Sequence, residues 1–511
     1  MKLKTIYKEA SKNKLLVFVV FLAIFFRFYK FTNLQYFSDG EVLFYSILKQ
    51  ITNDHRLVLI SPNQVMGINL GSILHWIVSP IFLIAKGNPI ILGGVGSFVG
   101  VIVTFLVYKA GSLISKKAGL LSAGFYATSF MISMNDRRFW QLSFNSLFCI
   151  ISYLAIFYLI KNKNLKVSAF IFAFTSIFAW HADLTLLTIP LFGLVSVVKF
   201  KIKLNKKHIP AILVILFSFL PLFAFELRHN FVNTKSFINT LNNQEKTRTP
   251  FFDNIKYIGN SLARTIFISP KNLSSNFKYA HEYEKPPFAL TSLIILALVV
   301  FGYTKNKKKN IAKDLNDLYL ATFFGGIIIY SVIYGGAYYD HYLVSIFPMI
   351  ALFIGANLSF LHRKKIALIS LVGIYVGINT YTLIKSEMSH PVKNKMKIVK
   401  KLSPKLEGKK FAAYDLDVKG AGFHYIYEYQ GLYPVKSSAI DAWGWIYMSN
   451  SFLRVTPESS WPNTVVVLRS SDAKDIQDER IVSIDTYEDI QGIIIDNTSQ
   501  KISNKNIYDF K

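Results

Sequence analysis

Two carboxylates, Asp39 and Glu41, stand one residue apart in FTNLQYFSDGE, directly after a first apolar stretch that contains LLVFVVFLAIFF. An acid at a bilayer face loses solvation, so it usually sits in a cavity and acts there. A second reading stays open: Ser38 or Asp39 would cap a helix over EVLFYSILKQI. Further polar groups recur at the ends of later apolar stretches: Asp136, Arg137 and Arg138, then His181 and Asp183, then Glu226, Arg228 and His229, then Asp340, His341 and Tyr342. A carboxylate accepts a proton from a hydroxyl, and the planar fork of an arginine bonds two phosphate oxygens at once. Together these side chains suit chemistry on an anionic lipid headgroup. Each also has a structural alternative. An arginine at a span end snorkels, a histidine hydrogen-bonds within the fold, Asp183 caps the stretch after it, and His341 anchors an interface.

The elements that must position these groups are read from hydropathy. Of 511 residues, 52% are hydrophobic and 15% aromatic, gathered in long runs. A bilayer crossing takes about 20 apolar residues, fewer in a compact bundle. Runs near 14–31, 88–108, 119–134, 141–160, 166–182, 184–200, 209–226, 287–303, 316–335, 342–360 and 366–383 meet that need, which predicts a polytopic helical membrane protein of about 11 transmembrane helices. The chain carries 58 Lys+Arg against 30 Asp+Glu, a net charge of +28. In a soluble chain that balance would point to nucleic acid. Here the basic residues fall in short runs between the spans: Lys109 with Lys116 and Lys117, Lys161 with Lys163, 201–207, 305–310 and 362–365. All lie on the side of the basic N-terminus, and the positive-inside rule makes that side the cytoplasm. The expected location is a multi-pass cell membrane protein with a cytoplasmic N-terminus, its first span left uncleaved.

Segment 71–87, GSILHWIVSPIFLIAKG, breaks this alternation if it crosses, so it is expected to lie in-plane or re-enter as two short helices broken at Pro80. From about Ser386 the composition changes. FAAYDLDV, TVVVLRS and GIIIDN read as strands and GFHYIYEYQGLY as a helix, predicting a soluble extracytoplasmic α/β domain over 386–511 behind a transmembrane catalytic domain over 1–385. A lone cysteine, Cys149, excludes an intramolecular disulfide and a thiolate metal cluster. No internal repeat and no glycine-rich phosphate loop is present.

In the order acid pair, Arg-bearing loop, FAFELRHN and YYDHYLVSIFP, the stretch from about 15 to 385 resembles the polyprenol-phosphate-sugar-dependent glycosyltransferases of the GT-C fold, the group with protein O-mannosyltransferases and lipid A aminoarabinose transferase. That resemblance implies an inverting transfer of one sugar from a polyprenyl-phosphate carrier to an extracytoplasmic hydroxyl on protein, lipid or glycan. It makes Asp39 the base, Glu41 its orienter, and Arg138, Arg228 and His341, with Tyr342 and Asp136, the substrate-binding set. Arg27 stands in reserve for the phosphate. The sequence departs from the family where Gly40 separates the two acids and where SPNQVMGIN offers no lysine. Asp39, Glu41 and Asp136 are of a type to hold a divalent cation, as in oligosaccharyltransferase relatives, but the nearest pattern implies no cofactor. The expected partners are the lipid-linked donor, membrane lipids and the acceptor, with no nucleic acid. Two other classes compete: a transporter or flippase of lipid-linked glycans, and an O-antigen ligase or polymerase resting on the 227–286 loop. A transporter usually shows repeated halves and mid-bilayer charges, which this sequence lacks.

Overall fold

A computed structural model describes residues 14–65, 68–203, 205–242, 249–273, 283–305, 310–333, 338–416, 422–438, 460–473, 478–499 and 502. The basic N-terminal stretch up to residue 13 and residues 306–309 of the basic run lie outside the described residues. A helix, whole or in pieces, occupies each of the eleven apolar runs, and among the described residues seven helices are long and apolar enough to cross a membrane. The chain is a multi-pass helical membrane protein. Phe347–Leu358 is central and buried, packed on Lys116–Thr128 so closely that a Cβ on Gly355 would overlap the Ser122 hydroxyl. Ile209–Ser218, Pro286–Lys305 and Lys365–Lys385 lie at the periphery. They turn Leu216, Phe217, Leu293, Ile294, Ile366 and Ile369 outward, as lipid-facing helices must.

Local chemistry sets the breaks. Pro89–Ser112 starts at Asn88, whose side chain accepts the Ile90 N–H at 2.9 Å, with Pro89 in the first helical position. Lys116–Thr128 stops at Ser129, and Phe130–Asp136 begins there, the Ser129 hydroxyl donating to Thr265 O at 2.6 Å. This restart aims the turn Asp136-Arg137-Arg138 at the glycine face of Pro89–Ser112. Gly93, Gly96 and Gly100 share that face, and Cβ atoms there would overlap Gln35, the Arg138 carbonyl, and the Arg27–Asp136 pair respectively. Their lack of side chains is what seats the arginine turn.

Segment 71–87 differs from expectation. A single helix, Ile73–Ile84, runs through Pro80 without a break. Proline removes the N–H that would reach Trp76 O, and the Ser79 hydroxyl donates to that carbonyl at 2.9 Å instead.

Beyond Lys385, Val392–Leu406 packs on a five-stranded sheet in the order Lys436–Ser437, Phe411–Asp415, Thr464–Ser470, Ile490–Asp496, Ile481–Tyr487. The first three are parallel, and the last two pair antiparallel with their neighbours, in register Ala412 with Val465 and Val466 with Ile494. Alternate residues of the central strand serve opposite faces. Val466 and Leu468 join Ile398, Val399 and Leu402 of the helix, while Val465 and Val467 pack with Tyr414, Ile493 and Ile495. The helix side of this sheet belongs to the same buried cluster as the membrane helices. The contacts are specific: Val392 N–H to Gln35 O at 3.3 Å, the Tyr425 hydroxyl to Gly87 O at 2.7 Å, and Lys49 to Glu428 at 2.5 Å.

Candidate active site

The helix Asp39–Thr52 begins at Ser38, so Ser38 is its cap and Asp39 is the first helical residue. One Glu41 oxygen, Oε2, accepts both the Ser38 backbone N–H and the Ser38 hydroxyl at 3.0 Å, closing a capping box. The other, Oε1, meets Arg138 Nε at 2.5 Å, with both side chains buried. Asp39 is half-buried, and its single hydrogen bond among the described residues is a long one, 3.4 Å from the Gly422 N–H to Oδ1. The two acids thus differ: Glu41 is fully engaged, and Asp39 holds acceptor capacity at a helix N-terminus, where the dipole favours the anion.

Gly40 has a spatial reason to stand between them. A Cβ there would lie 3.1 Å from the Trp140 indole, and that indole carries the Arg138 guanidinium 3.5 Å above its centroid. Tyr36 sits on the guanidinium at 4.5 Å. Arg138 is therefore clamped between two rings and tied through Nε, with no hydrogen bond to its Nη nitrogens among the described residues. His341 stands beyond Trp140, ring centroids 5.9 Å apart, stacked on Tyr339 and edge-on to Tyr342. Tyr342 in turn faces a mostly apolar groove of about 290 Å³, lined also by Asp183, Leu187, Leu191, Phe323 and Tyr330. A terminal arginine fork and a carboxylate of spare accepting capacity, brought to one helix start, can hold a phosphate and take a proton from a hydroxyl.

The remaining candidates are placed as follows. Asp136 pairs with Arg27 through Nε at 2.9 Å and Nη2 at 2.6 Å, so each neutralises the other. Arg137 is fully buried and donates to Phe26 O at 2.7 Å and Tyr29 O at 2.9 Å, a backbone clamp and not a snorkelling cation. Arg228 does not join the cluster. It is exposed at the end of Leu220–Arg228, a helix that packs on the hairpin strands Ile60–Val65 and Ile68–Gly71. His181 Nε2 donates to Ser218 O at 2.7 Å, His229 Nδ1 to Phe225 O at 2.9 Å, and Asp183 caps Leu184–Leu187 by accepting the Thr185 N–H. Among the described residues no three His, Cys, Asp or Glu side chains gather as a metal site.

Three residues near the cluster escape a reading by motif. Trp140, the platform of Arg138, passes for a belt aromatic in sequence. Arg264 is buried and pairs with Asp340 at 3.0 Å, and Asp340 also accepts the Ser261 hydroxyl. Its signal was the amphipathic stripe Asn254, Ile258, Ser261 and Thr265 of Phe251–Ile266, whose buried side takes in Arg264 as well. Lys395 is fully buried, its Nζ donating to Phe37 O at 3.1 Å. Its signal lay in spacing. Val392, Lys395, Val399, Leu402 and Leu406 form one apolar stripe of Val392–Leu406, and Lys395 takes an apolar place in it.

No protein-family model matches the sequence, and no curated protein matches it. The fold does have solved counterparts. The chain is similar to ArnT from Cupriavidus metallidurans bound to undecaprenyl phosphate, at a TM-score of 0.58 and 9% identity, over 95% of this chain and 98% of that one. It is more distantly similar to the Archaeoglobus fulgidus oligosaccharyltransferase in complex with zinc and sulfate, at a TM-score of 0.44 and 9% identity, over 89% of this chain and 67% of that one. The architecture is the polytopic helical GT-C fold with a β-sheet region near the C-terminus.

Proposed function

We propose that this protein is a glycosyltransferase that moves a sugar from a polyprenyl-phosphate carrier to an acceptor hydroxyl, with inversion at the anomeric carbon. The observation that carries this reading is the pairing of unlike groups at one helix start: Asp39 with free accepting capacity, and Arg138 fixed through Nε with its fork uncommitted. The acceptor hydroxyl gives its proton to Asp39 and its oxygen bonds to the anomeric carbon. The bond from that carbon to the phosphate oxygen breaks, and polyprenyl phosphate departs with the electron pair. Arg138 meets the growing phosphate charge and Glu41 holds Arg138 in place, while His341 lines the same space. The groove beyond Tyr342 suits an isoprenoid tail. One solved counterpart, ArnT, is bound to undecaprenyl phosphate, which supports a lipid-phosphate donor.

The site chemistry is read as independent of metal, because Glu41 and Asp136 already face arginines. Exposed lysines 116 and 117 begin the helix Lys116–Thr128, and exposed lysines 161 and 163 lie in the turn after Asn145–Ile160; they support a cytoplasmic placement of those helix ends. The acid pair and the α/β region then face outward, with a transmembrane catalytic domain over 1–385 and a soluble domain over 386–511. The test is purified protein in detergent with a polyprenyl-phosphate sugar. Release of free polyprenyl phosphate that requires both acceptor and Asp39 supports the reading. Donor that crosses a vesicle bilayer intact, with no release, refutes it in favour of a flippase.

A further inference from the structure

We infer that Lys395 is a positioning residue of this same centre, supplied by the C-terminal α/β region to hold the turn before Asp39; this rests on the reading of Asp39 as the base. A buried ammonium is costly, and a helix stripe that is otherwise apolar would be more easily filled by leucine. Lys395 has no exposed surface. Its Nζ donates to the carbonyl of Phe37, two residues before Asp39, at 3.1 Å, and the Phe423 ring lies 5.2 Å from it. From the other side, the Gly422 N–H reaches Asp39 Oδ1. The catalytic turn is thus held on its carbonyl and on its carboxylate by two residues from beyond 385.

The charges that face Lys395 are Asp39 and Glu41 from the membrane helix, Asp415 from its strand, Asp489 from the turn between the last two strands, and His390 from the segment entering its own helix. As an ammonium, Lys395 makes a charge-assisted bond to the Phe37 carbonyl, which fixes the backbone that leads into Asp39. Burial pulls Lys395 down to about 8 and pushes Asp415 up to about 7. Raising the pH through about 8 removes the Lys395 proton and turns its charge-assisted bond to the Phe37 carbonyl into a weaker neutral one, loosening the turn before Asp39. Stability runs the other way. From there up to the ordinary lysine value of 10.5, the unfolded chain binds the proton and the folded chain does not, so this group favours the fold more as pH rises. Activity and stability must therefore part company on the alkaline side.

The experiment compares the full-length wild type, Lys395→Arg and Lys395→Met in detergent, reading polyprenyl phosphate release as kcat and KM across pH, with thermal unfolding alongside. Wild type is expected to lose kcat above about pH 8 without a fall in thermal stability. Arginine, which stays charged, should keep turnover and abolish that alkaline loss. Methionine, which cannot donate to the Phe37 carbonyl, should lower kcat by about tenfold or more at unchanged donor KM. Should the methionine variant not fold, the arginine profile alone decides. Wild-type turnover dependent on Asp39, with an alkaline limb that Lys395→Arg leaves unmoved, overturns the role of Lys395. Absence of any release by wild type overturns the functional reading first, and this inference with it.

Discussion

Replacing Gly96 by alanine tests whether an empty helix face sets the position of Arg138. The added Cβ would overlap the Arg138 carbonyl oxygen and stand 3.0 Å from both the Arg138 carbonyl carbon and Asp136 O. All three atoms are backbone, so no flexible side chain can swing aside. Ordinary contact begins at 3.4 Å, and the turn has to withdraw by more than 1 Å to reach it. Overpacking of this kind costs about 1–3 kcal/mol. A displacement of about 1 Å in a charge-positioning turn costs about 10²-fold in rate. The control is on the same helix: a Cβ on Gly94 meets nothing within 4 Å. Gly94→Ala should be neutral or slightly stabilising, since alanine is the better helix former. The assay is release of polyprenyl phosphate at saturating donor, with thermal unfolding in detergent measured on both variants. If Gly96→Ala matches Gly94→Ala in both turnover and unfolding temperature, the argument that glycine space seats Arg138 is wrong.

Asp39→Asn should lower kcat by about 10²–10⁴ while leaving the unfolding temperature nearly unchanged, because Ser38 and not Asp39 caps the helix; a loss of stability with turnover intact would make Asp39 structural. Arg138→Lys should raise donor KM at least about tenfold, because lysine lacks the Nη fork, whereas exposed Arg228→Ala should change KM by less than about twofold; equal effects at both positions would count against Arg138 as the phosphate ligand. In a Cys149→Ser background, cysteine at Asn463 should label in intact cells with a membrane-impermeant reagent and cysteine at Lys163 only after permeabilisation; the reverse pattern would invert the proposed orientation.

The fold was largely legible in the sequence because its signals are coarse. Apolar runs of span length and strands such as TVVVLRS stand out from a single chain by hydropathy and β-branching alone. The break predicted at Pro80 failed because proline's missing donor is a local defect, and the neighbouring Ser79 hydroxyl supplies the bond. At the site, the choice between cap and acid for SDGE dissolved once the capping box was seen to use Ser38 and Glu41, leaving Asp39 its lone pairs. Arg228 looked like a partner for the acids because it lies at a span end, and hydropathy does not say which span ends adjoin. Lys395 was hidden for the opposite reason. A lysine among the many of VKNKMKIVKKL reads as surface charge, and only its stripe position separates it from Lys393, Lys397, Lys400 and Lys401.

The division of Glu41 between two partners bears on how the chain is built. Oε2 is satisfied by Ser38, three residues away, as soon as the first turn of the helix winds. Oε1 waits for Arg138, 97 residues further on, which enters the membrane only with later spans. A bare carboxylate left at the bilayer surface through that interval would be expensive. Ser38 shelters half of it from the outset, so the nascent chain holds its charge in a finished local structure until the long-range partner arrives. The closing of the Glu41–Arg138 pair then marks the point in biogenesis at which the first and later spans have come together.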